Sequence, residues 1–102
     1  MANTENLERL LANGQDNAML RFGLGKAYLD AGAPAKAAEH LRCAVKQDAN
    51  YSAAWKLLGR ALTQAEQNEE AKAAYEEGIR VAEARGDIQA AKEMRVFLKR
   101  LR

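Results

Sequence analysis

Two side chains with metal-binding chemistry, His40 and Cys43, stand three residues apart. On a helix that spacing lets an imidazole nitrogen and a thiolate reach one ion. Zinc sites take three or four protein ligands. The chain holds one histidine and one cysteine, so the pair reads as two outer-face residues, with no metal and no cofactor expected. Paired carboxylates, the material of general acid–base catalysis, occur as Glu69-Glu70 and Glu76-Glu77. Both pairs fall in an alanine-rich amphipathic stretch. They read as a solvated face, with Glu76 and Arg80 as an i,i+4 ion pair. Ser52 is the single serine and has no base beside it in sequence. No phosphate-binding glycine loop is present. With no catalytic constellation, the expectation is that the chain is not an enzyme.

The chain that must position these residues has 102 of them, enough for one small domain spanning 1–102. Apolar residues make up 48%, led by alanine, and aromatics only 6%. That composition favours helices packed closely through small side chains. The net charge of +2 is low for a dedicated nucleic-acid binder. It is also uneven: residues 85–102 carry six Lys/Arg against two Asp/Glu. The lone Cys43 excludes an internal disulfide and fits a reducing compartment. Met1-Ala2-Asn3-Thr4-Glu5 has neither the basic start nor the apolar run of a signal peptide. No stretch approaches the roughly 18 apolar residues of a membrane span. The expected location is the cytoplasm, with no membrane partner.

Apolar residues recur at spacings of three and four along six stretches, which predicts an all-α chain with helices near 4–12, 17–31, 34–47, 51–65, 68–85 and 87–101. Thr4 or Asn3, Asn50, Asn68 and Asp87 are the expected N-terminal caps. Gly32 and Gly86 suit the residue past a helix end, and Pro34 a first turn. Leu7, Leu10 and Leu11 make the inward face of the first helix, and Ile88, Ala91, Met94, Leu98 and Leu101 that of the last. One core is expected to contain Leu24, Tyr28, Leu41, Trp55, Leu58, Leu62, Tyr75, Ile79, Met94 and Leu98. Gly59 costs about 1 kcal/mol of helix propensity relative to alanine. A glycine kept there predicts a second helix crossing close to its backbone.

The chain also repeats. Stepping back 34 residues takes Leu58 to Leu24, Gly59 to Gly25, Leu62 to Tyr28, Ala71 to Ala37, Tyr75 to Leu41 and Gly78 to Ala44. Two helices per 34 residues, with a bulky residue, then Leu-Gly, then Tyr or Leu, then Ala, resemble the tetratricopeptide repeat. The resemblance covers 18–85, as repeat one at 18–51 and repeat two at 52–85. Arg21 stands where the first unit should have a bulky apolar residue. Glu66 replaces the turn glycine of the second, and the proline usual near the end of a unit is absent. The last helix matches on a step of 36, Trp55 to Ala91, Leu58 to Met94 and Leu62 to Leu98. Gly59 then falls on Arg95. This reads as a C-terminal capping helix at 87–101, with a covering helix at 4–12 on the other end.

The resemblance implies an α-solenoid whose ligands lie along the concave face of the first helix of each pair. Carried over, the groove positions include Ala53, Gln64 and Arg100, and the residues expected to bind are Met19, Phe22, Lys26, Leu29, Lys56, Arg60, Lys92 and Lys99. They would make a surface apolar at one end and basic at the other. Some members grip acidic chaperone tails with a Lys/Asn clamp, but Phe22, Lys26 and Leu57 at the corresponding positions do not meet that pattern. The function implied is an adaptor binding a peptide-like segment of a partner protein, acidic and apolar in character. One alternative is a self-assembling structural module, since two repeats are fewer than the three usually needed for stability. The other is weak nucleic-acid binding through Lys92, Arg95, Lys99, Arg100 and Arg102.

Overall fold

The computed structural model describes the backbone of residues 2–101 and the side chains of residues 4–101. Among them are six helices: α1 (Ala2–Ala12), α2 (Ala18–Asp30), α3 (Pro34–Gln47), α4 (Ser52–Gln64), α5 (Asn68–Arg85) and α6 (Ile88–Arg100). The described residues form no strand. Each helix packs on the next in sequence, and α4 also touches both α2 and α6. The result is an inner row of α2, α4 and α6 backed by α3 and α5.

Helix ends follow local chemistry, with some corrections. Asn17 Oδ1 accepts from the Leu20 N–H at 2.8 Å, and Asp87 Oδ1 from the Ala90 N–H at 3.4 Å. Helix α1 already runs through Asn3 and Thr4, so neither stands before it as a cap, and the Asn3 side chain lies outside those described. Asn50 does not cap α4. Its N–H donates to Asp48 Oδ1 at 3.1 Å, and α4 starts at Ser52 with no side-chain cap. Asn68 is the first residue of α5 rather than its cap. Three of the tight turns share one device. The N–H groups of Ala33, Gln67 and Asp87 reach back to the carbonyls of Tyr28, Leu62 and Ala82 at 2.8–2.9 Å. This closes the helix end around a left-handed residue. Gly32 and Gly86 supply that residue at φ of 80° and 76°, and Glu66 at φ of 61°.

Close approach of helices organises the interior. A Cβ built on Gly59 would lie 2.6 Å from ring atoms of Tyr75 on α5, and one on Gly25 would lie 2.6 Å from Leu41 Cδ2 on α3. Gly78 gives the same room on α5, to Met94 of α6 and to Trp55 Cβ. The second helix does cross Gly59, as the sequence predicts. The core divides in two. Leu41, Leu58, Leu62 and alanines of α3–α5 form one cluster, and Tyr75, Ala82, Ala90, Ala91 and Met94 the other. Leu24 is fully buried. Tyr28, Trp55, Ile79 and Leu98 are half-buried and pack against the clusters from outside. Leu10 and Ile88, expected inward, are exposed.

Candidate functional site

Helices α2 and α4 run side by side, and their inner faces bound a hollow of about 270 Å³. Phe22, Leu29 and Leu57 supply its apolar wall, and Lys26, Asp30, Lys56 and Arg60 its charges. Phe22 is held by Tyr51, ring centroids 5.0 Å apart. A second hollow, about 230 Å³, opens between α4 and α6 over Tyr75, Phe97 and Leu101. Arg60 and Gln64 line both, so the two form one concave surface.

Five of the expected groove residues, Phe22, Lys26, Leu29, Lys56 and Arg60, therefore meet in one hollow. Met19, Lys92 and Lys99 are exposed but do not line it. Gln64, on α4, lines both hollows, and Phe97, which lies outside the expected groove positions, joins the surface because α6 lies against α4. The charges are also less free than their sequence positions imply. Lys26 Nζ lies 3.5 Å from Asp30, and Lys56 Nζ lies 2.6 Å from Glu93 Oε1. Lys56 holds the Glu93 carboxyl below the usual carboxylate range, with help from Gln89. Burial pushes the Tyr75 phenol up, while the neighbouring Thr63 hydroxyl and Arg60 guanidinium act against it. Arg95 pairs with Glu83 on α5, and Arg102 lies outside the described residues.

The polar residues singled out for chemistry have structural partners. His40 is not an outer-face residue: it is 9% exposed, stacked on Tyr28 with ring planes 4° apart. Its Nδ1 lies 3.0 Å from Arg21 Nη1, and its Nε2 lies 3.6 Å from Glu8 Oε2. An arginine only donates, so Nδ1 is the acceptor and the ring is neutral with its proton on Nε2. Burial holds the imidazole below its usual value, chiefly against the opposing pull of Glu8, and Arg21 adds to the downward push. Glu8 also accepts from Tyr28 Oη at 2.5 Å, which ties α1 to α2 and α3. Arg21 in turn grips Asp16 with two 2.8 Å hydrogen bonds. The arginine that breaks the repeat pattern thus anchors a network. Its signal was legible: His40 lies three after Ala37 and four before Ala44, on the buried stripe.

Cys43 is half-buried and free. Among the described residues, no group of three or more His, Cys, Asp or Glu side chains gathers as a metal site. The Ser52 hydroxyl is buried and donates to Asp87 Oδ2 at 3.1 Å, joining α4 to the start of α6. Arg80 pairs with Glu77 rather than Glu76. Arg42 joins α3 to Glu70 at the start of α5. Among the described residues, no helix is long and apolar enough to cross a membrane.

Comparison with known proteins bears on this architecture. A family model described as tetratricopeptide repeat matches residues 28–94. The chain is 57% identical over 97 residues to TPR repeat-containing protein PA0015 of Pseudomonas aeruginosa, covering 95% of this chain and 92% of that one. The solution structure of protein BPP2914 from Bordetella parapertussis superposes with a TM-score of 0.83 at 46% identity, over 98% of this chain and 87% of that one. The crystal structure of the Sgt2 TPR domain from Aspergillus fumigatus gives 0.81 at 32% identity, over 95% and 64%. None of these names denotes an enzyme.

Proposed function

Because the chain belongs to the tetratricopeptide repeat family, whose domains generally serve as protein–protein interaction modules, we propose that it is a non-catalytic adaptor holding a peptide-like segment of a partner protein in its concave groove. In this reading residues 1–102 are one domain. Repeats at 18–51 and 52–85 are covered by the helix at 4–12 and capped by the helix at 87–101, and the cytoplasm is the working compartment.

One observation carries the reading: Phe22, Leu29 and Leu57 stay half-exposed on the inner face, ringed by charged groups. Apolar area left uncovered beside charge is a mark of a binding surface. Full burial of an exposed side chain of this size contributes about 1.5–3 kcal/mol, and these half-exposed ones can still contribute part of that. A segment carrying bulky apolar residues next to acidic ones would satisfy both parts. Its binding would weaken as salt rises, because the cations are exposed and screened.

The test is affinity purification with the chain as bait, beside an Ala53→Trp bait. Ala53 is exposed and lines the hollow, so a large side chain there fills the groove without entering the core. Charge reversal at Lys56 is less informative, since it also sets two acids against each other at Glu93. A partner recovered by the native chain and lost with Ala53→Trp supports the reading. Equal recovery by both baits refutes it.

A further inference from the structure

The inner surface has four cations within its two hollows, and the fold treats them in two ways. Lys26 and Lys56 are already paired, with Asp30 and Glu93. An incoming carboxylate must compete with those bonds. Arg60 and Arg100 are exposed and, among the described residues, neither has an ion-pair partner. Both line the same hollow between α4 and α6, over Tyr75 and Phe97. Two guanidinium groups around one small concavity concentrate positive potential there. The guanidinium fork also matches a carboxylate in a bidentate way that a lysine does not. At the other end, around Phe22, Leu29 and Leu57, the charges cancel locally and the surface offers mainly apolar contact.

Resting on the groove reading above, we infer that the partner segment is polarised. An Asp or Glu side chain anchors between Arg60 and Arg100, and apolar side chains run from there toward Phe22 and Leu57. Lys26 and Lys56 do not read the acid; they hold α2 and the α4–α6 contact in place. The anchor is charge complementarity at one end of the groove. Arg60 and Gln64, which line both hollows, are the point where the acidic and apolar parts of the segment meet.

The probe is a display library of random twelve-residue peptides, panned on the native chain. The peptide of consensus sequence is then measured by fluorescence anisotropy, with an amidated C-terminus so that only side-chain carboxylates remain. We expect enriched peptides to be acidic. Arg60→Ala with Arg100→Ala weakens binding about tenfold or more, the scale of losing hydrogen bonds to a charged group. Lys26→Ala with Lys56→Ala changes it less than about threefold, as for exposed paired charges. Enriched peptides no more acidic than the library, or equal losses from the two double variants, overturn the anchor. Ala53→Trp separates the two levels of the argument. If it abolishes binding while the arginine variant does not, the groove stands and the anchor falls. If binding survives both changes, both readings fall.

Discussion

Gly23→Ala and Gly59→Ala make the same chemical change in the middle of two helices, and they are expected to move stability in opposite directions. Replacing a mid-helix glycine with alanine gains about 0.5–1 kcal/mol, because the unfolded chain loses less freedom. At Gly23 the new Cβ meets only Leu7 Cδ1, at 3.8 Å, an ordinary van der Waals contact. The full gain should appear. At Gly59 the Cβ would stand 2.6 Å from Tyr75 Cδ1 and Cζ. Tyr75 is 2% exposed, and its ring lies 5.7 Å from that of Phe97, so it has little room to retreat. Overpacking of this kind costs about 1–3 kcal/mol. Offset by the propensity gain, Gly59→Ala should lose between about 0 and 2.5 kcal/mol. The two variants should therefore differ by roughly 1–3 kcal/mol, several degrees in melting temperature for a chain of this size. Urea unfolding followed by Trp55 fluorescence and by helical circular dichroism measures both. The slope against urea should stay constant, showing that stability and not the denatured state has changed. If Gly59→Ala stabilises the chain as much as Gly23→Ala, the close crossing of α4 and α5 does not hold Tyr75 as described.

His40 makes stability depend on pH. Its folded value lies below the ordinary 6.5, so its contribution is present above the unfolded value and is lost as pH falls through about 6.5 and below. The urea midpoint should drop between about pH 7.5 and about pH 5.5, and His40→Gln should flatten that slope. Glu77 and Glu93 titrate below the usual carboxylate range and stay ionised throughout that window. Glu66→Gly should stabilise by up to about 1 kcal/mol, since a left-handed conformation costs a non-glycine residue about 1–2 kcal/mol and added chain freedom returns part of it; a melting temperature unchanged or lowered would contradict this. Arg95→Ala should fall within about 0.5 kcal/mol of the native chain in the same urea assay, because its pair with Glu83 is half-exposed at the surface.

The helices and their order were legible because the apolar spacing and the 34-residue step depend on local residue types, which a single sequence displays. Gly59 showed where two helices meet, and Asp87 where one begins. What the sequence hid was of two kinds. Asn50 and Asn68 have the right chemistry for caps. Yet the chain enters α4 through a turn held by Asp48, and α5 through a turn closed by backbone bonds at Glu66. The other kind is pairing across helices. Nothing in residue type says that Lys56 and Glu93, 37 positions apart, form an ion pair. That pairing shifts the open charge of the groove from the lysines to Arg60 and Arg100. His40 was misread on type alone, since a histidine on a buried stripe can be satisfied by an acid and an arginine brought from α1 and α2.

The three close crossings share one interval. Leu41 follows Gly25, Tyr75 follows Gly59 and Met94 follows Gly78, each by the same sixteen positions. Most of the close packing of each helix is thus with its neighbours in sequence. Little of the chain has to wait for a distant stretch to arrive. Such a low contact order belongs to proteins that fold in microseconds to milliseconds. On a ribosome, α2 and α3 can close on each other before α6 has been synthesised.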